Sequence, residues 1–236
     1  MRKFSLLLSL IIFASSASFA QNKIKLPNRA ADHFMIQLNS DHWMGAPDSI
    51  SSHMKGLSRG ANIYIMLDKP FKGTPKLSVA LGVGISTSNM YFKRMDVGIT
   101  SNSPTLPFTN LDSTNSFKKY KLATTYLEIP LEFRFMSKPE TPNKSIKVAL
   151  GVKGGTLLKA QTKGKALRNS AGDLIRNYTE KESSKSFFNS TRISGTARIG
   201  YGIFTLSGSY AFTNLFKDAV APEINTLQVG LTISGL

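Results

Sequence analysis

Apolar and polar residues alternate with a period of two over much of this chain, most clearly in LATTYLEIPLEFRFM between Leu122 and Met136. Leu127, Ile129, Leu131, Phe133 and Phe135 fall on one side of such a segment, and Glu128, Pro130, Glu132 and Arg134 on the other. Successive strand side chains point to opposite faces, so the segment needs an apolar medium on one side and a polar one on the other. A closed, water-lined sheet in a lipid bilayer supplies both.

The same period predicts eight strands, over residues 33–43, 59–68, 76–92, 122–136, 146–161, 192–201, 203–213 and 224–234. Short, turn-rich links at 69–75, 137–145 and around Gly202 alternate with longer ones at 44–58, 93–121, 162–191 and 214–223. That alternation of loop lengths is the pattern of outer-membrane barrels. The expected fold is an all-β, eight-stranded antiparallel up-and-down transmembrane β-barrel. An even number of strands returns both termini to one side, so both termini and the tight turns are expected in the periplasm. Pro70, Pro75, Pro139 and Pro142 fall in the turns and Pro104, Pro107 and Pro222 in the loops, where no ladder donor is needed. Pro130 lies inside the strongest strand, which predicts a bulge or a local bend there.

Side-chain size decides which face meets lipid. Over 76–92 the apolar face is Leu77, Val79, Leu81, Val83 and Ile85, and the other is Ser78, Ala80, Gly82, Gly84 and Ser86. The last two strands repeat the split, with Phe204, Leu206, Tyr210 and Phe212 against Thr205, Ser207, Ser209 and Ala211, then Leu227, Val229, Leu231 and Ile233 against Gln228, Gly230 and Thr232. A soluble eight-stranded barrel would carry long charged side chains on its outside, whereas a narrow lumen has room for few large ones. The small polar face therefore goes inside and the aliphatic face to lipid. Trp43, Tyr91, Phe92, Tyr120, Tyr126, Tyr201 and Phe216 lie near strand ends, where interfacial girdles form.

With the apolar face outside, Glu128, Glu132 and Arg134 point into the lumen, and the same parity sends in Lys147, Lys153, Lys159, Arg192 and Arg198. Buried charges need partners. One reading is a structural charge network in which the acidic pair of the fourth strand is bridged by cations from the fifth and sixth, plugging the lumen. The other is that these are solvated lumen residues. Two carboxylates four residues apart also resemble a general acid/base pair, but the cations beside them favour ion pairing.

Composition then fixes the compartment. Arg2 and Lys3 precede an apolar run from Phe4 to Phe13 and a small-residue end at Ser18-Phe19-Ala20, which predicts a cleaved secretory signal peptide over 1–20 and a barrel domain over 21–236. The run is shorter than the about 20 residues a spanning helix needs. Gln21 would begin the mature chain, so a lipid-modified N-terminus is not expected. Loss of Arg2 and Lys3 takes the formal charge from +16 to +14, still strongly basic. That excess suits anionic lipid and lipopolysaccharide, and an exported chain whose aromatic residues are spread through strands is a poor nucleic-acid binder. The lack of cysteine fits an exported protein held together by its sheet.

Candidate chemistry is sparse. A lipid-modifying enzyme needs an activated nucleophile, and only His33, His42 and His53 are available, near Asp32, Ser40, Asp41 and Asp48 but within no catalytic motif. Gly82-Val83-Gly84 and the glycines at 151–155 have the spacing of phosphate loops, yet no helix follows, and close strand packing explains them. The 162–191 loop carries Lys163, Lys165, Arg168, Arg176, Lys181 and Lys185 against Asp173, Glu180 and Glu182, which suits lipopolysaccharide phosphates or a solvated, mobile loop. No catalytic residue, cofactor or metal site is predicted.

Tyr126-Leu127-Glu128-Ile129-Pro130-Leu131 resembles the Y-L-E-I-P-L hallmark of the PorT-like family of Bacteroidetes outer-membrane β-barrels. The likeness extends through Ala80-Leu81-Gly82-Val83-Gly84, the run Val148–Gly155, and Val229-Gly230-Leu231-Thr232. It implies an eight-stranded outer-membrane barrel, some of whose relatives assist type IX secretion and gliding. The resulting expectation is a non-enzymatic structural or interaction component, with secretion-machinery proteins as candidate partners. A narrow transport pore and a lipid A-modifying enzyme remain as alternatives.

Overall fold

A computed structural model describes residues 33–234; the expected signal peptide lies outside them. The strands are β1 (Phe34–Met44), β2 (Ser58–Phe71), β3 (Thr74–Phe92), β4 (Met95–Val97), β5 (Phe108–Asn110), β6 (Ser116–Met136), β7 (Ile146–Arg168), β8 (Leu174–Ser183), β9 (Thr191–Tyr201), β10 (Phe204–Ala211) and β11 (Asn225–Ser234). Eight of them, in the order β6, β3, β2, β1, β11, β10, β9 and β7, pair antiparallel, and β6 with β7 closes the ring. A walk from Thr125 through Thr87, Ala61, Leu38, Leu231, Leu206, Ile199 and Val148 returns to β6 at Phe135, ten residues further on. That stagger over eight strands tilts them by about 40° from the barrel axis. The tight link between β9 and β10 turns on Gly202, whose φ of +62° suits the first central position of a two-residue hairpin.

The faces divide by side-chain character. Leu127, Ile129, Leu131, Phe133 and Phe135 of β6 are 38 to 57% exposed on the outside, while Tyr126, Glu128, Glu132 and Arg134 are buried within. The outward apolar positions end at Leu127 on β6 and Ile85 on β3, giving way to Thr125 and Lys121, and to Thr87 and Asn89. The stretch from Leu127 to Phe135 rises roughly 20 Å along the axis, close to the ~25 Å apolar band of membrane barrels. No helix among the described residues is long and apolar enough to cross a membrane.

β6 and β7, of 21 and 23 residues, continue well past this band. There β8 pairs with the distal part of β7, Gln161 to Arg168, taking the edge that β9 occupies nearer the turns. The outer halves of β6 and β7 with β8 thus form a three-stranded blade standing above the barrel. This corrects the expectation of an irregular 162–191 loop, which is largely strand. The 93–121 connection likewise holds the small β4–β5 sheet.

Two further expectations change. The ladder between β6 and β7 shifts register between Thr125 and Tyr126, which pair with Lys159 and Leu157 and leave Leu158 as an extra residue. Past this bulge the parity of β7 reverses, so Lys159 is exposed on the outside rather than directed into the lumen. Pro130 makes no bulge. Its pairing with Lys153 on β7 is in register, and toward β3 the ladder omits Ile129 and Pro130 but resumes in the same register. The missing donor is absorbed as a local gap.

The expected aromatic girdle is in part a cap. Trp43, Phe92, Tyr120, Tyr126 and Phe216 are buried, joined to Met95, Val97, Ile99 and Leu106 in one apolar cluster at the loop end of the barrel. Trp43 packs edge-on against Phe92 at 5.5 Å and Phe216 at 5.7 Å. Tyr120 holds the small sheet to the wall, its hydroxyl donating to Val97 O at 3.2 Å and accepting from Val97 N at 3.0 Å. Tyr201 is 59% exposed on the outside, as a girdle residue should be.

Candidate functional site

The interior of the barrel is built around Glu128 and Glu132, and small residues give each one space. Glu128 lies between Gly84 on β3 and Gly155 on β7, and Glu132 between Ala80 and Gly151. A Cβ at Gly155 would come 2.8 Å from Glu128 Cγ, and one at Gly151 3.0 Å from Glu132 Cγ. These glycines therefore serve close packing, and the vacated volume lets long cations from β9 reach across β7.

Arg192 donates to Glu128 Oε1 through both its amino nitrogen, at 2.5 Å, and Nε, at 3.1 Å. Tyr64 of β2 donates its hydroxyl to Glu128 Oε2 at 2.5 Å, and Lys153 Nζ lies 3.2 Å from the same oxygen. Arg192 also reaches Ser86 Oγ at 2.9 Å and stacks 3.9 Å over the Tyr126 ring. Nearer the turns, Arg198 pairs with both oxygens of Glu132, at 3.1 and 2.6 Å, and Arg134 Nε donates to it at 2.8 Å. Arg134 also approaches Asp68 at 3.9 Å. Lys147 is buried at the level of Arg134 and Arg198. Of the sequence-derived network, Glu128, Glu132, Arg134, Lys153, Arg192 and Arg198 thus meet in two ion-paired layers.

Several members carried no sequence signal beyond parity. Asp41 and Gln228 form a polar layer joined to Glu128 through Lys153: Gln228 donates to Asp41 Oδ1 at 2.8 Å, and Lys153 Nζ stands 3.5 Å from Gln228 Oε1. Asn62 bridges Gln37 and Gln228. Parity along β1 and β2 puts Asp41 and Tyr64 on the lumen face that Gln228 shares on β11.

Little space is left between these layers. One void beside Tyr64, Glu132, Lys153 and Gln228, and another beside Arg134, Lys147 and Arg198, are each about 10 Å³. Such a volume holds about one water.

The three histidines go to three places. His33 Nδ1 lies 3.1 Å from Met66 O at the turn end. His42 is exposed on the outside of β1, its Nε2 3.0 Å from Ser40 Oγ. His53 sits in the first long loop, 3.3 Å from Asp112. No carboxylate among the described residues orients His42, so the Ser40–His42 pair lacks the third group of a nucleophilic triad.

A closed eight-stranded barrel with an aliphatic outer band and a polar, ion-paired interior defines an outer-membrane β-barrel protein. Residues 19–217 match the family model described as "Outer membrane protein beta-barrel domain", and the chain belongs to that family. Among solved structures it is similar to Ail, the attachment invasion locus protein of Yersinia pestis, crystallised with the heparin analogue sucrose octasulfate. The identity is 14%, the TM-score 0.36, and the match covers 85% of this chain and 94% of that one. A second crystal structure of Ail matches at 13% identity over the same shares, also with a TM-score of 0.36. No curated protein matches the chain.

Proposed function

We propose that the protein is a non-catalytic, non-conducting component of the outer membrane that presents its loop end to other molecules. Two ion-paired layers leave voids of only about 10 Å³, and this observation carries the reading. The ordered cap and blade stand at one end, while both ends of the described chain and the tight turns lie at the other. With the turns in the periplasm, as in barrels of this kind, the cap and blade face outward. Planar-bilayer recording tests the closed lumen: the expected trace shows no large, steady conductance, and such a conductance would refute it.

The hallmark at Tyr126–Leu131 supports a finer reading, membership of the PorT-like group and a part in type IX secretion. An affinity tag fits the turn at 169–173, between β7 and β8, where it disturbs no barrel strand. Pull-down from detergent-solubilised outer membranes is expected to bring down secretion-machinery proteins. Recovery of the barrel alone would count against an accessory role.

A further inference from the structure

The blade separates its charges by face. Lys121, Lys163 and Lys181 are direct cross-strand partners on β6, β7 and β8, and Lys119 is paired with Lys165 one step further out. Glu180 and Glu182 alternate with Lys181 on β8 and pair with Gly164 and Thr162, on the opposite face. Like charges in register repel, and none of these lysines has an ion-pair partner among the described residues. Lys121 is held in place by Asn89 Oδ1 at 2.6 Å and lies over the Tyr91 ring. Burial, and then the neighbouring Lys163, push its ammonium below the ordinary lysine range. Next to these rows is an open pocket of about 300 Å³, lined by Lys118, Lys119, Lys165 and Arg168 with Leu174 and Asn177, and by no carboxylate.

The position selects the anion. This lysine face continues the lipid-facing side of the barrel, and Lys159 stands on it at the edge of the apolar band, opposite Thr125. Lys121 lies six residues past Leu127, about 15 Å above that edge. A phospholipid headgroup layer is only about 5–7 Å deep. A column of cations rising from Lys159 to Lys165 fits a headgroup that stands taller and carries phosphate along its height.

We propose that the lysine face of the blade is a binding site for the phosphorylated saccharide headgroup of a membrane glycolipid. Each in-register lysine pair would share one phosphate, which removes the repulsion that the folded blade otherwise carries. The proposal rests on the loop end facing the outer leaflet.

The test uses the folded, detergent-solubilised full chain and native mass spectrometry. Bisphosphorylated lipid A is expected to bind about tenfold more tightly than dephosphorylated lipid A, and Lys163→Gln with Lys165→Gln to erase that difference. The paired change Lys72→Gln with Lys144→Gln, at exposed lysines of the turn end, should leave it intact. Heat-modifiable mobility on gels confirms that each variant is folded. Equal binding of the two lipid A forms, or an unaffected Lys163/Lys165 variant, overturns the site. Equal binding of phosphatidylglycerol overturns the saccharide headgroup, and competition by millimolar inorganic phosphate overturns a lipid source. Orientation is read separately from Ser170→Cys, expected to react with an impermeant maleimide on intact cells. Failure to label refutes the outward loop end while leaving binding in detergent as its own result.

Discussion

Replacing Glu128 by Gln removes the charge on which two buried cations converge while preserving the shape of the side chain. Glu128 is 1% exposed and accepts from Arg192 twice and Tyr64 once, with Lys153 at 3.2 Å. The amide keeps one acceptor and turns the other into a donor facing groups that already donate. Arg192 and Lys153 then lose the one carboxylate within ion-pair distance of either among the described residues, where only single-water voids exist. Breaking one side of a buried pair costs about 3–5 kcal/mol, which for a chain of this size lowers the melting temperature by about 10 °C. A solvated lumen would instead screen the change to under about 1 kcal/mol. Urea unfolding in micelles, followed by the fluorescence of Trp43, the single tryptophan, measures the difference. A destabilisation below about 1 kcal/mol would refute the paired network. The cycle with Arg192→Gln should show a coupling of about 2 kcal/mol.

Three other outcomes follow from particular contacts. Gly155→Val places side-chain atoms against Glu128 Cγ, and the overpacking is expected to destabilise by about 1–3 kcal/mol in the same urea experiment. Lys159→Leu, outside the barrel past the bulge, should change stability by less than about 0.5 kcal/mol, whereas Lys153→Leu should cost several-fold more; equal effects would remove the parity reversal. The carboxyl of Asp112 is held below its ordinary value of 3.8, first by Asn110 and then by His53. A lowered carboxyl stabilises the fold above its unfolded value and loses that contribution as pH falls through its folded value. The His53–Asp112 contact should therefore open only as pH falls through the lowered value of the Asp112 carboxyl. The Asp112 side-chain resonance, followed by NMR, should titrate below the midpoint of an unpaired aspartate, and an ordinary midpoint would contradict the contact.

The barrel was legible because lipid and lumen impose opposite demands on neighbouring residues, so Leu127 to Phe135 and Glu128 to Arg134 record their own faces. Past the bilayer no lipid demands an apolar outer face, and the signal fades: Thr162 to Arg168 and all of β8 are strands without apolar alternation. The bulge at Leu158 leaves no mark in residue type, so parity alone puts Lys159 on the lumen face. For the cap, parity and position along the strand give opposite answers. Trp43 shares parity with Asp41, Phe92 with Ser86, and Tyr126 with Glu128, which places all three inside, while position near a strand end pointed to the bilayer interface.

The network on Glu128 joins residues far apart in the chain. Tyr64 is 64 residues before it, Arg192 is 64 after it, and Gln228, which Lys153 brings to the same cluster, lies on the strand that closes against β1. Before β11 meets β1, the sheet is open and these charges face water, so they reward no partial assembly. Their pairing becomes available only when the seam shuts and excludes water. The carboxylates thereby act as a check on completion: a barrel that stops one strand short forgoes the interior contacts as well as one ladder. Assembly should then be concerted at its last step, with few half-closed species surviving.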